Sequence, residues 1–402
     1  MKNEKTNVEI AAEAINALKR ALPPFMPADL KVRLIDLIYM NGKVMALDRQ
    51  SETVLPSDIY AGLYKIMPNS LTRHLALRVP DLRRNGGEYR QAAERHDFVS
   101  LESQLLDFSR MAKLRGRALS AERLKKGMEA FREVFEGAAV YIKTTDREQD
   151  PPELFFRAGH ATRLFDFEQM SRRSRGEDFS RLPGYAAWRS LYAAARPAGS
   201  MIDLDADGGV QKLYAFNSLR LLPVERLSRC ATLPESLRSH LGWLRSIGLS
   251  HAIISGVDLK LGTVNLYFHL DPREGAQPRL VSALFERTGF EPPTPGLMSW
   301  ISRSGIVYLT FAPGKPGIER LCFSAVLDGP ASRHAELASL APNLKPYITE
   351  APLRTKRRNL IAGFTFGPGG FYLKAEWDYK AGLFLQGYSA WSGMASRLSI
   401  SQ

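Results

Sequence analysis

Residues 252–269 read AIISGVDLKLGTVNLYFH. Two runs rich in β-branched, aliphatic and aromatic residues, Ala252–Leu259 and Thr263–His269, flank a three-residue turn, Lys260–Gly262. Such a pattern predicts an antiparallel hairpin. Strand side chains alternate with a period of two. Asn265 and Tyr267 therefore share one face, while Val264, Leu266 and Phe268 take the other.

The same pattern recurs on either side. Ala139–Thr145 and Leu154–Arg157 flank Asp146–Pro152, and Ser200–Leu204 and Val210–Phe216 flank Asp205–Gly209. Ile306–Phe311 and Arg320–Val326 flank Ala312–Ile318, and Leu360–Phe366 and Phe371–Tyr379 flank Gly367–Gly370. The five turns start at 146, 205, 260, 312 and 367, at intervals of 59, 55, 52 and 55 residues. A period of this size marks a repeated supersecondary unit. Helical stretches lie between the hairpins: Ala161–Ser174, Val224–Ile247, Pro278–Thr288, Ser332–Leu340 and Leu383–Leu398. Two more precede them, over 100–116 and 120–135, the second opened by the cap Ser120-Ala121-Glu122. The expected fold is α+β: a ten-stranded antiparallel β-barrel surrounded by helices, built from five ααββ-type repeats. Closure removes the exposed strand edges, and ten strands enclose a lumen wider than eight strands can fill.

Residues 1–97 read as a helical N-terminal extension ahead of a barrel domain over 98–402. Apolar residues at helical spacing run from Val8 to Leu22, and Pro23-Pro24 ends them. A second helix is expected from Pro27 to Met40, stopped by Asn41-Gly42, and a third near Ser57–Ile66. Pro80–Gly87 reads as a linker. The extension carries no catalytic pattern and is expected to serve docking or self-association.

Composition narrows the class. Of the 402 residues, 45% are hydrophobic and 24% charged, which excludes general disorder. Two cysteines, Cys230 and Cys322, are too few for a disulfide scaffold or a cysteine zinc site. No signal-like apolar core opens the chain and no run reaches the ~18 apolar residues of a membrane span, so a cytoplasmic location is expected. The net charge of +13 is compatible with nucleic acid, a membrane surface or a small anionic substrate; the positions of the cations decide between them.

Those positions are on the hairpins. Lys143 and Arg157 lie on the first, Lys212 on the second with Tyr214 and Phe216, and Tyr308 and Arg320 on the fourth. On the fifth, Lys374, Glu376 and Asp378 share a face opposite Leu373, Ala375 and Trp377. Helices must cover the outside of the barrel, so outward positions should be apolar and the polar residues point inward. A ring of cations and tyrosines in a lumen suits a multiply charged phosphate ester.

Val257-Asp258-Leu259, Thr263–Phe268 and Arg320–Phe323, with Lys212–Phe216 and Tyr372-Leu373-Lys374, resemble in order and spacing the bacterial aromatic prenyltransferases of the ABBA, or PT-barrel, family. The resemblance covers residues 98–395. It implies Friedel–Crafts transfer of a dimethylallyl or geranyl group from an isoprenoid diphosphate to an electron-rich aromatic ring, in secondary metabolism. Carried over by position, Lys212, Asn265, Arg320 and Lys374 would grip the diphosphate, with Lys143 and Arg157 adding charge. Tyr214, Tyr267 and Tyr308 would shield the allylic cation, and Glu376 and Asp203 are the catalytic candidates, Glu376 as base. Ile253, Ser255, Gly305 and Ile306 would shape the acceptor pocket. Magnesium-dependent members have Glu-Leu-Asp-Phe where this chain has Glu153-Leu154-Phe155-Phe156. The loss of that Asp implies no metal and no cofactor, and the partners implied are the diphosphate and a small aromatic acceptor, with neither nucleic acid nor membrane.

Other patterns read as structure. Asp203–Gly208 resembles the start of a calcium loop, but position twelve is Tyr214 and strands flank it, so a hairpin turn is expected. Gly367–Gly370 lacks the Lys-Ser/Thr of a phosphate loop, Arg354–Arg358 reads as a solvated basic loop, and Cys322 as packing. The competing readings are a basic binder of nucleic acid or another polyanion and a barrel that hydrolyses or cyclises the isoprenoid.

Overall fold

The structure is a computed structural model of the whole chain. It describes residues 7–22, 35, 38–39, 42, 54–66, 75, 78–85, 88 and 99–379, apart from 138, 149–150, 161–162, 175–177, 218–220, 271–274, 328–330, 352 and 354–358. The expected helix Leu383–Leu398 and the basic cluster Arg354–Arg358 lie outside the described residues, as does nearly all of the expected helix Pro27–Met40. The chain divides into two compact units, with a boundary between Phe98 and Val99.

In the first unit, Asn7–Ala21 packs against Pro56–Ile66, burying Ala14, Leu18, Ile59 and Leu63. Gly42 is helical rather than a stop. A Cβ there would stand 3.1 Å from the Ile59 backbone, so the glycine admits a close approach of chain to chain. Pro80–Asn85 is helical too, not a linker. Proline suits a first helical position, where its missing N–H has no partner to lose, and Asn85 donates to Asp81 across one turn at 2.8 Å.

The second unit is a closed barrel of ten antiparallel strands. They are β1 Ala139–Thr145, β2 Leu154–His160, β3 Gly199–Asp205, β4 Val210–Phe216, β5 Ile254–Asp258, β6 Val264–His269, β7 Ile306–Phe311, β8 Ile318–Leu327, β9 Leu360–Gly367 and β10 Gly370–Asp378. Each pairs with its neighbour in sequence, and β1 closes on β10 through Tyr141↔Asp378 to Thr145↔Lys374. All five hairpin turns fall at one end, the turn end. The helices depart from the other, the connection end.

Alternation divides the strands as expected. Val140, Ile142, Phe156, Leu213, Leu266, Leu309, Phe323, Phe364 and Leu373 belong to the continuous apolar core, which lies between barrel and helices. Leu101–Leu114 is opened by Ser100, whose side chain accepts from Ser103 N–H, and Ala121–Ala130 is opened likewise by Ser120. Within the stretch Ala161–Ser174 the helix is Phe167–Ser174, and Val224–Ile247 breaks into a 3₁₀ segment, Val224–Arg229, and a helix, Glu235–Ser246. Tyr185–Ala195 and Pro295–Ile301 are further helices. The calcium-like stretch is a turn: Asp205 Oδ1 accepts from the N–H groups of Asp207 and Gly209 at 3.0 and 2.8 Å, and Gly208 supplies a φ of 75°.

Candidate active site

Strand register arranges the inward residues in tilted rows. One runs Asp378–Tyr141–Arg157–Asp203–Lys212–Asp258. A second runs Met201–Tyr214–Gly256–Asn265–Thr310–Arg320. A third runs Ile254–Tyr267–Tyr308–Cys322–Thr365–Tyr372. Lys374 pairs across with Gly363 and Thr145, and Glu376 with Ile361 and Lys143. Nearly every candidate read from the sequence thus meets in one lumen.

The cations form one group. Arg320, Lys143 and Lys374 all act on the charge of Lys212, and Arg320 and Lys143 on that of Lys374. Burial, with Arg320 and Lys143 close by, pulls Lys212 down to about 7, although Asp258 at 3.7 Å opposes the shift. Burial likewise takes Lys374 down to about 7; Cys322 works against it, and Arg320 and Lys143 add to it. Burial also opposes the charge of Arg320, but Tyr372 and Tyr308 outweigh it. Arg320 Nε, Asn265 Oδ1 and Thr310 Oγ1 are buried without a hydrogen-bond partner. Clustered cations and the unspent donors of Arg320 and Thr310 are what an anion would satisfy, whereas Asn265 Oδ1 is an acceptor and calls for a donor.

Beside them stands a wall of tyrosines. The rings of Tyr214 and Tyr267 are 6.2 Å apart and those of Tyr267 and Tyr308 are 4.5 Å apart. Burial raises the pKa of all three, so they stay neutral and keep their O–H groups. Lys374 donates to Tyr308, which holds the ammonium near the rings. Tyr214 crosses directly over Gly256, where a Cβ would stand 2.6 Å from the ring. Only glycine leaves that space.

The carboxylates Asp203 and Glu376 stand among these cations and gather round Arg157. Arg157 was expected to bind diphosphate. Its Nε–H and one Nη2–H instead reach Asp203 at 2.6 and 3.1 Å, Nη1 reaches both Glu376 oxygens at 2.8 and 3.0 Å, and Nη2 also meets Tyr214 Oη at 2.8 Å. These contacts occupy the guanidinium donors. Burial opposes the Arg157 charge, but Asp203 and Glu376 outweigh it. Asp203 also accepts from Lys143 at 2.9 Å and Tyr214 at 2.8 Å. Burial opposes its charge as well, but Arg157 and Lys143 hold its carboxyl well below the usual carboxylate range. Glu376 is clasped by Arg157, two residues beyond Lys374 on the inward face of β10.

Other placements differ. Ser255 lies on the outer face, paired with Ala215 and Leu266, because the inward residues of β5 are Ile254, Gly256 and Asp258. Ile253 sits at the bend before β5. Ile306 does face inward, in register with Ser324 and His269, and Gly305 immediately precedes it with open space where a Cβ would stand. Cys322, read from the sequence as packing, faces the lumen, in register with Tyr308 and Thr365 and accepting from Thr365 Oγ1 at 3.1 Å. Thr310, Ile361 and Val326 were not singled out, and Tyr372 and Asp258 were read only as parts of motifs, not as site residues. Counting by two from Lys374, Tyr308, Gly256, Gly363 and Ser324 would have reached them.

The Phe155 ring faces the lumen with Lys143 Nζ 4.7 Å from its centroid. Among the described residues no cluster of His, Cys, Asp and Glu has the geometry of a metal site, and no helix is long and apolar enough to cross a membrane.

Several curated proteins are similar to this chain. A 4-hydroxyphenylpyruvate 3-dimethylallyltransferase of Streptomyces niveus is 27% identical over 269 residues, 64% of this chain and 77% of that one. A 5,10-dihydrophenazine-1-carboxylate 9-dimethylallyltransferase of Streptomyces anulatus is 24% identical over 44% of this chain and 58% of its own. A flaviolin linalyltransferase of Streptomyces virginiae is 24% identical over 44% and 59%. A solved 6-dimethylallyl tryptophan synthase aligns over 69% of this chain and 96% of that one, at 13% identity and a TM-score of 0.46. The sequence profile of the family described as aromatic prenyltransferase Orf2 matches residues 99–391, which is the whole barrel. The chain belongs to that family of aromatic prenyltransferases.

Proposed function

We propose that this chain transfers a dimethylallyl group from its diphosphate to a small electron-rich aromatic acceptor, without a metal ion. The observation that carries the reading is the cation group: Lys143, Lys212, Arg320 and Lys374 converge on one lumen against Tyr214, Tyr267 and Tyr308. Diphosphate would restore the full charge of Lys212 and Lys374, and they would neutralise the negative charge that builds on the leaving group. The tyrosine faces would stabilise the allylic cation as the C–O bond breaks and keep water from it. The acceptor ring would then form the new C–C bond and lose its proton, with Glu376 as the nearby carboxylate candidate. Phe155 in place of a carboxylate, with Lys143 over its ring, supports the metal-free reading. The length of the prenyl chain rests on relatives, two of which are named for dimethylallyl transfer.

A product assay with dimethylallyl and geranyl diphosphate, a panel of phenols and naphthols, and excess EDTA tests this. Prenylated product in EDTA is expected, more with the dimethylallyl donor. Product only on addition of magnesium would overturn the metal-free reading. Release of diphosphate without any aromatic product would favour hydrolysis or cyclisation instead.

A further inference from the structure

On three strands the inward residues follow one order along the barrel. Lys212 on β4, Asn265 on β6 and Thr310 on β7 each lie one inward position nearer the turn end than Tyr214, Tyr267 and Tyr308. Arg320 stands near the turn end of β8, in register with Thr310. On β10, Tyr372 lies two residues nearer the turn than Lys374.

Tyr372 links this order to the outside. Lys374 Nζ stands 5.3 Å from its ring centroid, and the guanidinium of Arg147, in the first hairpin turn, stands 5.2 Å from it. Arg320 donates a side-chain hydrogen bond to Tyr372. Burial raises the Tyr372 pKa, and Arg320 and Arg147 work against the rise. Tyr372 is half-buried and Arg147 is exposed. The neighbouring carboxylate of Asp146 accepts from Leu373 N–H at 2.7 Å. Glu148 follows Arg147 in sequence, and Glu153 acts on the charge of Arg320 and Lys374. With these carboxylates beside it, Arg147 would serve an anion by direct contact rather than by a long-range field.

We propose that Arg147 completes the donor site at the turn end, where it holds the terminal phosphate of the isoprenoid diphosphate. The proposal rests on the prenyl-transfer reading and fixes which way the donor lies. The bond that breaks joins the prenyl carbon to an oxygen of the inner phosphate, and that carbon must reach the tyrosine faces. Tyr214, Tyr267 and Tyr308 lie deeper than Lys212 and Arg320, so the prenyl chain points into the barrel and the terminal phosphate points out toward the turns. There it meets Arg320 and, across the ring of Tyr372, Arg147. An exposed guanidinium resting on an aromatic face gives up a weak contact and gains charge-assisted, bidentate hydrogen bonds to a phosphate.

The test compares two ligands on the full chain, in EDTA at about pH 7. One is the unreactive thiolodiphosphate analogue of dimethylallyl diphosphate, titrated by calorimetry. The other is the corresponding thiolomonophosphate, which lacks the terminal phosphate, titrated by displacement of the first. In Arg147→Gln the diphosphate is expected to bind about tenfold more weakly and the monophosphate nearly as before, so the preference for diphosphate falls about tenfold. Arg147 is exposed in a turn, and monophosphate binding shows that the variant is folded. A preference that falls by less than about threefold, whether both ligands weaken alike or neither does, overturns the proposal while the transfer reading stands. Failure of the thiolodiphosphate to bind the unaltered chain overturns the transfer reading, and the proposal falls with it.

Discussion

Lys212 and Lys374 have depressed pKa values because each is buried among other cations. A diphosphate bound there, as proposed, would raise both again, so binding would take up protons wherever the free lysines are partly neutral. Donor affinity is therefore expected to be greatest below pH 7 and to fall as pH rises through that value. Calorimetry of the thiolodiphosphate at about pH 8, in buffers of different ionisation heat, should read net proton uptake; its absence would remove these lysines from the site. A second prediction concerns Gly256. Alanine there collides with the Tyr214 ring and should cost on the order of 1–3 kcal/mol of stability, read as a lower urea midpoint. Activity should fall further than in Tyr214→Phe, which keeps the ring but loses the hydroxyl bonds to Asp203 and Arg157. The site was partly legible because alternation alone sorts Lys374, Glu376, Tyr267 and Asn265 onto one face. It could not say which partner Arg157 would choose, since Asp203 and Glu376 are 46 and 219 residues away in sequence.

Among the elements, the strands were read best, and the reason is physical. Each is walled by lumen on one side and helices on the other, so polar and apolar residues must alternate; β1, β4 and β7 begin and end where the pattern predicted. The missed helices lacked such contrast. Tyr185–Ala195 begins at Gly184 without a side-chain cap and ends on Arg196 in a left-handed conformation at φ 48°, where glycine is usual. Pro295–Ile301 did announce itself, through a Thr294 cap and a proline in its first turn, but spans only seven residues. How the helices grip the barrel yields a prediction. Arg115, just past Leu101–Leu114, donates to Thr144 Oγ1, Thr145 O and Asn343 O at 3.0, 2.8 and 2.7 Å. Arg115→Met fills much of the volume but leaves those acceptors unpaired. It should lower stability by about 2 kcal/mol or more in urea denaturation, with little change in acceptor preference, because the side chain points away from the lumen.

At the scale of the molecule, the barrel stores an unfavourable charge arrangement that the proposed donor diphosphate would relieve. A lysine whose folded pKa is about 7 and whose unfolded value is near 10.4 is charged in both states at low pH, where it contributes no pH dependence. Between those values the unfolded chain holds more protons than the folded one, so stability rises with pH. The buried tyrosines stay out of this window, since they titrate in the unfolded chain only near 10. Thermal stability of the free protein is therefore expected to increase from about pH 7.5 to 9. A donor analogue returns the lysines to their charged form and removes that slope. Alkyl diphosphates are fully ionised by about pH 7.5, so the ligand's own charge is constant over the interval. The rise in Tm on adding the thiolodiphosphate should accordingly be larger at pH 7.5 than at 9, and in Lys374→Met the two increments should draw closer. An increment that grows with pH would mean that the anion is held elsewhere. A barrel specified by its lysines must show the first behaviour, because burial that depresses their charge in the free protein makes the charge of the diphosphate count for more when it arrives.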